Sequence, residues 1–358
     1  MSRTKVAVVG CGHLGAIHAR LLAARDDVKL VAVVDPVAES RDRVAAAHGC
    51  RACAEPRELV GVAEAAVVAA PTGLHAGVAV PLLEAGLDLL VEKPLAATVE
   101  DARAIVIAAR RYGRTVAVGH VERFNPAWQE AVRRSGAPVF VEAVRTAPFT
   151  FRSLDVGVVH DLMIHDIDLV LALDPGRLER VEAQGIVATG GHEDAVRARL
   201  AFSSGLVADL TASRISPAAR RTVTLWSAEA LVSVDLTAKT VEAVTPSEGV
   251  RAGSFVASAV PPEGRGGLKD RFFTEILPLA TVTVADSNAI AGEHDDFLAA
   301  IGGGRQPLVP ATAGAAAVEI AARVLDALEC TRLGGSRREA AGRAPTIPCA
   351  STRSSRPG

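Results

Sequence analysis

The sequence predicts an α/β protein in two parts: a doubly wound parallel sheet at the N-terminus, then an α+β domain with an open, mostly antiparallel sheet. Three observations carry this expectation. Short, near-continuous apolar runs alternate with helix-patterned stretches through the first third of the chain. A glycine-rich turn joins the first run to the first helix. Beyond about Val121 the short runs give way to longer strands of alternating character. At 358 residues the chain is long enough for about two domains. With 49% hydrophobic and 22% charged residues it can bury a core.

Taken in order, Val6–Val9, Leu30–Val34, Ala66–Ala70, Leu87–Val91 and Thr115–Val118 are apolar runs of the kind covered on both faces of a parallel sheet. Between them Leu14–Arg25, Val37–His48, Leu74–Ala85 and Thr98–Tyr112 carry helical spacing, so residues 1–121 are expected to form repeated βαβ units. A helix at Pro126–Arg134 opens the second part. Strands follow at Val139–Val144, Val181–Val187, Val196–Phe202, Leu206–Ser213, Thr222–Ser227 and Leu231–Leu236, with a hairpin signal at Ser203-Ser204-Gly205. Helices are expected at Ser153–Leu173, His294–Ile301 and Ala313–Leu328. The second domain is therefore assigned to residues 122–310, a C-terminal helical segment to 311–332, and a disordered tail without periodicity to 333–358.

Gly10-Cys11-Gly12-His13-Leu14-Gly15 follows the first strand and opens the first helix. Gly10 permits a tight turn, Gly12 lets backbone N–H groups approach a pyrophosphate, and Gly15 allows close helix–strand packing. The positive end of the helix dipole adds to the anion site. Asp35 closes the second strand 20 residues after Gly15, where a carboxylate bonds the adenosine ribose hydroxyls and repels a 2′-phosphate. The expected cofactor is NAD on a Rossmann domain, held by Gly10, Gly12, His13, Leu14, Gly15 and Asp35; the competing reading is an ordinary glycine-rich turn.

Two further loops leave the same sheet edge, Ala70-Pro71-Thr72-Gly73-Leu74-His75 and Glu92-Lys93-Pro94. Ligands lie at the carboxyl ends of strands in such sheets, so Pro71, Thr72, His75, Glu92 and Lys93 are expected at the nicotinamide half. Glu92 and Lys93 also fit a solvated ion pair, but Lys93 ends a strand and a proline fixes the turn after it. Farther on, Asp161, His165 and Asp168 have the spacing to share one helix face. A carboxylate beside an imidazole sets its tautomer and suits acid/base work, although an ordinary core histidine would give the same pattern. His160, Asp161 and His165 also suggest metal ligation, but His160 points away from the other two, and no metal is expected.

With GCGHLG, APTGLH, EKP and the D-x-x-x-H segment in place, the chain resembles the glucose-fructose oxidoreductase/inositol dehydrogenase family, Gfo/Idh/MocA, over about residues 4 to 332. The resemblance implies a sugar or sugar-nucleotide substrate and a homodimer or homotetramer built through the second-domain sheet. It also implies that the 311–332 segment packs back on the first domain, and that Lys93, Asp161 and His165 are catalytic. More narrowly, Gly119-His-Val-Glu-Arg-Phe-Asn-Pro126 and the segment from Asp155 to Asp168 are similar to the branch oxidising the 3-hydroxyl of UDP-N-acetylglucosamine. There His120, Arg123, Asn125 and Arg152 are expected near the substrate. A dehydrogenase of another sugar or polyol is the alternative, and a non-catalytic dinucleotide sensor a further one, disfavoured by the acid/base residues.

Charge and cysteine usage exclude other classes. A net charge of -2 gives no basic field for nucleic acid or anionic lipid. No stretch approaches the ~18 apolar residues of a spanning helix, so a cytoplasmic protein is expected. Five cysteines lack a disulfide framework; Cys50 and Cys53 form a CxxC without the further ligands zinc needs, and are expected to be half-buried thiols at a strand start. Only five of the 39 basic residues are lysine, which draws attention to Lys93.

Overall fold

The computed structural model describes residues 3–151, 154 and 156–334. Arg152 and the expected tail from residue 335 lie outside the described residues. By contacts the chain divides into two compact units, one of Met1–Phe124 with Asn288–Ala322, the other of residues 125–287 with those from 323 onward.

The first unit begins with β1 (Thr4–Val9), α1 (His13–Ala23), β2 (Val28–Val34), α2 (Ala38–His48), β3 (Arg51–Cys53), β4 (Ala65–Val68), α3 (His75–Glu84), β5 (Asp88–Glu92), α4 (Val99–Tyr112) and β6 (Val116–Gly119). All six strands are parallel in the order β3-β2-β1-β4-β5-β6, the doubly wound arrangement. Their apolar runs are buried on both faces: Val6, Val8, Val33, Val67, Leu90 and Ala117 form one core with Leu22 of α1. Because the strands are all parallel, the loops after β1, β2, β4, β5 and β6 share one edge, and the reversal of strand order between β1 and β4 marks the crevice where such sheets bind ligands.

The second unit continues with α5 (Pro126–Ser135), β7 (Phe140–Thr146), α6 (Ile164–Leu171), β8 (Leu178–Val187), β9 (Ala195–Phe202), β10 (Val207–Ser213), β11 (Arg220–Trp226), β12 (Leu231–Asp235), β13 (Thr240–Val244), the short helices α7 (Glu248–Arg251) and α8 (Pro262–Asp270), and β14 (Leu279–Thr283). The chain then returns to the first unit through α9 (Ala289–Gly303) and most of α10 (Ala311–Asp326), and ends with β15 (Leu328–Arg332) in the second. The nine strands run β14-β13-β12-β11-β7-β10-β9-β8-β15. Pairing is antiparallel except at β7/β10 and β8/β15. Alternation along β7 turns Val141, Ala143 and Arg145 inward and leaves Phe140, Glu142, Val144 and Thr146 on the more open face.

Several elements depart from the sequence expectation. The helix read as His294–Ile301 and assigned to the 122–310 domain belongs to the first unit, because its buried stripe places Phe297 in the core beneath β1 and α1. The last helix ends at Asp326 instead of Leu328, and Leu328–Arg332 pairs in parallel with β8 rather than extending the helical segment. Earlier in α10, Gly314 brings the helix so close to β6 that a Cβ there would lie 2.8 Å from a Val118 methyl. The helix expected from Ser153 is regular only from Ile164. It is preceded by a wide turn over Val159–Met163, in which the Ile164 N–H donates to the Val159 carbonyl five residues back. Strands β13 (Thr240–Val244), β14 (Leu279–Thr283) and β15 (Leu328–Arg332) were not expected.

Candidate active site

In the first unit the loop after β1 has the geometry its glycines require. Gly10 holds φ +97°, and a Cβ on it would lie 2.5 Å from the Ala69 carbonyl oxygen. A Cβ on Gly15 would meet the Gly10 oxygen at 1.8 Å, so any other residue would push α1 away from β1. Gly12, by contrast, has open space around it. The N-terminus of α1 has no side-chain cap and no acid in its first turn. His13 is exposed and Leu14 half-buried beside it. Uncapped N–H groups at the positive end of a helix, over a surface cleared of Cβ atoms, fit a pyrophosphate.

Asp35 follows β2 directly. Its carboxylate accepts the Cys11 N–H and the Val37 N–H, both at 2.8 Å, and keeps lone pairs for a ribose diol. The Cys11 thiol beneath it is pushed up to about 12 by burial and by Asp35, which makes it an inert packing group. Burial likewise raises the Cys50 and Cys53 thiols.

In the loop after β4, a single turn at Thr72–Leu74 precedes α3, with Pro71 exposed and Thr72 half-buried. His75 is buried, its ring nitrogens facing the Pro94 carbonyl at 3.0 Å and the Ala70 carbonyl at 2.8 Å. It thereby ties the loop after β4 to the loop after β5. Glu92 ends β5 buried, Lys93 is half-buried, and the Lys93–Pro94 peptide is cis. His120 lies buried just beyond β6, and half-buried Arg123 sits in the following Val121–Phe124 turn.

In the second unit, Asp161 and His165 are half-buried with His160 and Leu162, whereas Met163, Ile164 and the run from Asp166 to Val170 are buried. The helical segment thus presents Asp161 and His165 on its open side, while Asp168 turns into the interior. Two supports for this segment escape sequence reading. Glu193, from the loop before β9, caps its start: the Val159 N–H donates to the Glu193 carboxylate at 3.1 Å, and the Val158 N–H to the Glu193 carbonyl at 3.2 Å. Gly157 is needed there, since its Cβ would lie 1.9 Å from the Glu193 carboxylate. Asp166 is held by Arg145 of β7 through Nε at 3.1 Å and Nη2 at 2.8 Å, both side chains 3% exposed. An arginine at an inward register position of a strand is the signal that could have revealed that pair.

Asn125, expected near the substrate, is buried at the start of α5. Its Oδ1 accepts the Ala127 N–H as the cap of α5, and its Nδ2 donates to the Leu236 carbonyl at 2.9 Å, so the buried side chain anchors α5.

Comparison with known proteins agrees with this geometry. Residues 4–120 match the Gfo/Idh/MocA oxidoreductase family's NAD-binding Rossmann fold, and residues 109–232 match its C-terminal domain. UDP-N-acetylglucosamine 3-dehydrogenase of Acidithiobacillus ferrooxidans is 33% identical over 330 residues, 92% of this chain and 98% of that one. A solved structure of that enzyme aligns with a TM-score of 0.79, again over 92% and 98% of the two chains. The scyllo-inositol 2-dehydrogenase of Bacillus subtilis is 29% identical, over 60% of this chain and 68% of its own. The chain belongs to the Gfo/Idh/MocA family. It is an NAD-dependent oxidoreductase of the dehydrogenase type, with a Rossmann domain followed by a mixed-sheet domain.

Proposed function

We propose that the protein oxidises the 3-hydroxyl of UDP-N-acetylglucosamine, giving the 3-keto sugar nucleotide. One observation carries this reading: likeness to the Acidithiobacillus enzyme runs through both units, whereas likeness to the inositol dehydrogenase covers 60% of the chain. Bound NAD supplies the hydride acceptor, the nicotinamide C4. The sugar C3–H bond breaks with its electron pair leaving as hydride, and the hydroxyl proton passes to a protein base. His165 takes that proton, with Asp161 orienting its ring, and the Lys93 ammonium donates to the same oxygen and stabilises its developing negative charge. A desolvated lysine can also act as the base, so Lys93 and His165 can exchange roles. Arg123, and Arg152 outside the described residues, are assigned to the diphosphate. We assign substrate proximity to His120 as well, from its place just after β6.

The protein is further proposed to self-associate through the more open face of the nine-stranded sheet, where the Phe140 and Trp226 rings pack 4.9 Å apart. Light scattering should give a multiple of 37.0 kDa; a monomer at micromolar concentration contradicts this. The activity is tested by mixing protein, NAD and UDP-N-acetylglucosamine, with a 3-keto-sugar aminotransferase as a trap, and following reduced cofactor. Reduction with that sugar nucleotide is expected. Turnover of inositol or glucose instead, with none of the sugar nucleotide, overturns the substrate assignment.

A further inference from the structure

Beneath the β5 loop the first unit buries four ionisable side chains that the proposed chemistry does not use directly. His18, from the second turn of α1, is fully buried, and its Nε2 lies 2.8 Å from Glu92 Oε1. Its Nδ1 lies 2.8 Å from Nε2 of His294 on α9. The other Glu92 oxygen accepts the Lys93 N–H at 3.1 Å. Gly119 makes room for the carboxylate, since a Cβ there would stand 2.9 Å from it. Glu293, 2% exposed, completes the cluster, and neither of its carboxyl oxygens has a hydrogen-bond partner among the described residues.

One arrangement of protons accounts for these contacts. Burial, with the charge of Glu92 nearby, pushes Glu293 well above the usual carboxyl range, so it keeps its proton. Burial beside His18 pushes His294 down to about 3, so it stays neutral. A carboxylate only accepts, so His18 donates from Nε2 to Glu92, while one proton joins its Nδ1 to Nε2 of His294. Glu92, which receives both the His18 ring and the Lys93 N–H, is adjacent in sequence to Lys93. A metal ion fits less well: ligands about 2.1 Å from a tetrahedral ion stand roughly 3.4 Å apart, and the His18–Glu92 contact is shorter.

We propose that His18, backed by His294, is a positioning residue for Lys93, acting through Glu92: it locks the carboxylate that holds the Lys93 peptide, and couples the helix that binds pyrophosphate to the lysine at the reacting oxygen. Apolar residues of the same volume would pack this core without desolvating four polar groups, so the cluster's position under the β5 loop is what gives it a purpose. The inference rests on the reading of Lys93 given above.

The test compares H18N, whose shorter amide cannot reach Glu92, with H18Q, whose amide nitrogen falls near the position of Nε2. Measured with NAD and the sugar nucleotide, or whichever sugar the substrate panel supports, H18N should lower kcat about tenfold or more with NAD affinity within about twofold. H18Q should keep over half of kcat. Amide exchange in a peptide covering residues 89–95 should quicken in H18N and not in H18Q, a readout independent of turnover. In a K93M background H18N should cause no further loss. Unchanged kcat and exchange in H18N, or an equal loss with and without Lys93, overturns the proposal. Activity in K93M itself would instead overturn the reading of Lys93. If H18N fails to fold, H294L carries the test, with a smaller loss in the same direction expected and no change overturning the proposal.

Discussion

In the proposed mechanism Lys93 is the residue on which the chemistry turns. Arginine outnumbers lysine heavily in this chain, yet a lysine stands where β5 ends at the ligand edge of the sheet. An arginine keeps its proton and offers a planar fork, whereas a lysine presents a compact ammonium able to donate to, or take a proton from, one oxygen. K93M and H165N should each lower kcat about 10²-fold or more while leaving NAD affinity within about twofold, measured by steady-state kinetics and cofactor titration. Near-normal turnover in either removes that residue from the mechanism. The places of Lys93 at a strand end and of His165 on the open side of its segment were legible in the sequence, because strand ends and i,i+4 spacing are local properties. His18, Glu293 and His294 were not, because their significance lies in contacts across 74 and 276 positions. A trace of the signal was present nonetheless: helical spacing puts Glu293 on one stripe with Phe297 and Ala300, a position that should be apolar.

At the level of elements, the segment carrying Asp161 and His165 depends on neighbours that hold it open-side out. Arg145→Ala would remove the buried guanidinium that bonds Asp166 and should destabilise the second unit by about 3–5 kcal/mol in urea unfolding. Gly157→Ala should lower stability and kcat together, since the added Cβ must displace the Glu193 cap. Asp194 makes a pH-dependent contribution nearby. Burial raises its carboxyl, but bonds from the Thr189 and Ala188 N–H groups, the Thr189 hydroxyl and Arg214 outweigh that and hold it below the ordinary value of 3.8. A lowered folded-state value stabilises the protein above 3.8, and that stability drains as pH falls through the folded value. The stability gap between wild type and D194N should therefore be constant near neutrality and shrink below about pH 4; a gap that widens with acid contradicts the assignment. None of these supports was visible as a motif. The D-x-x-x-H spacing announced the helix face, but the wide turn before Ile164 answers to Glu193, 34 residues beyond Val159 and in no recognisable relation to it.

Across the whole molecule, the parallel sheet was the more legible half, because a strand buried on both faces shows itself as an unbroken apolar run and its glycine turn as a fixed spacing. The mixed sheet showed β7 to β12 and hid β13 and its two edge strands, β14 and β15. The chain's return was hidden too: periodicity identifies α9 as a helix but not which sheet Phe297 will cover, and the five residues of β15 look like the fraying end of α10 until their pairing with β8 is seen. The account requires one event, transfer of hydride from C3 of the sugar to NAD. The most direct measurement supplies UDP-N-acetylglucosamine deuterated at C3 and examines the reduced cofactor by mass spectrometry. Deuterium in the NADH, with a slowed rate, is the predicted result; NADH formed without deuterium would contradict the account.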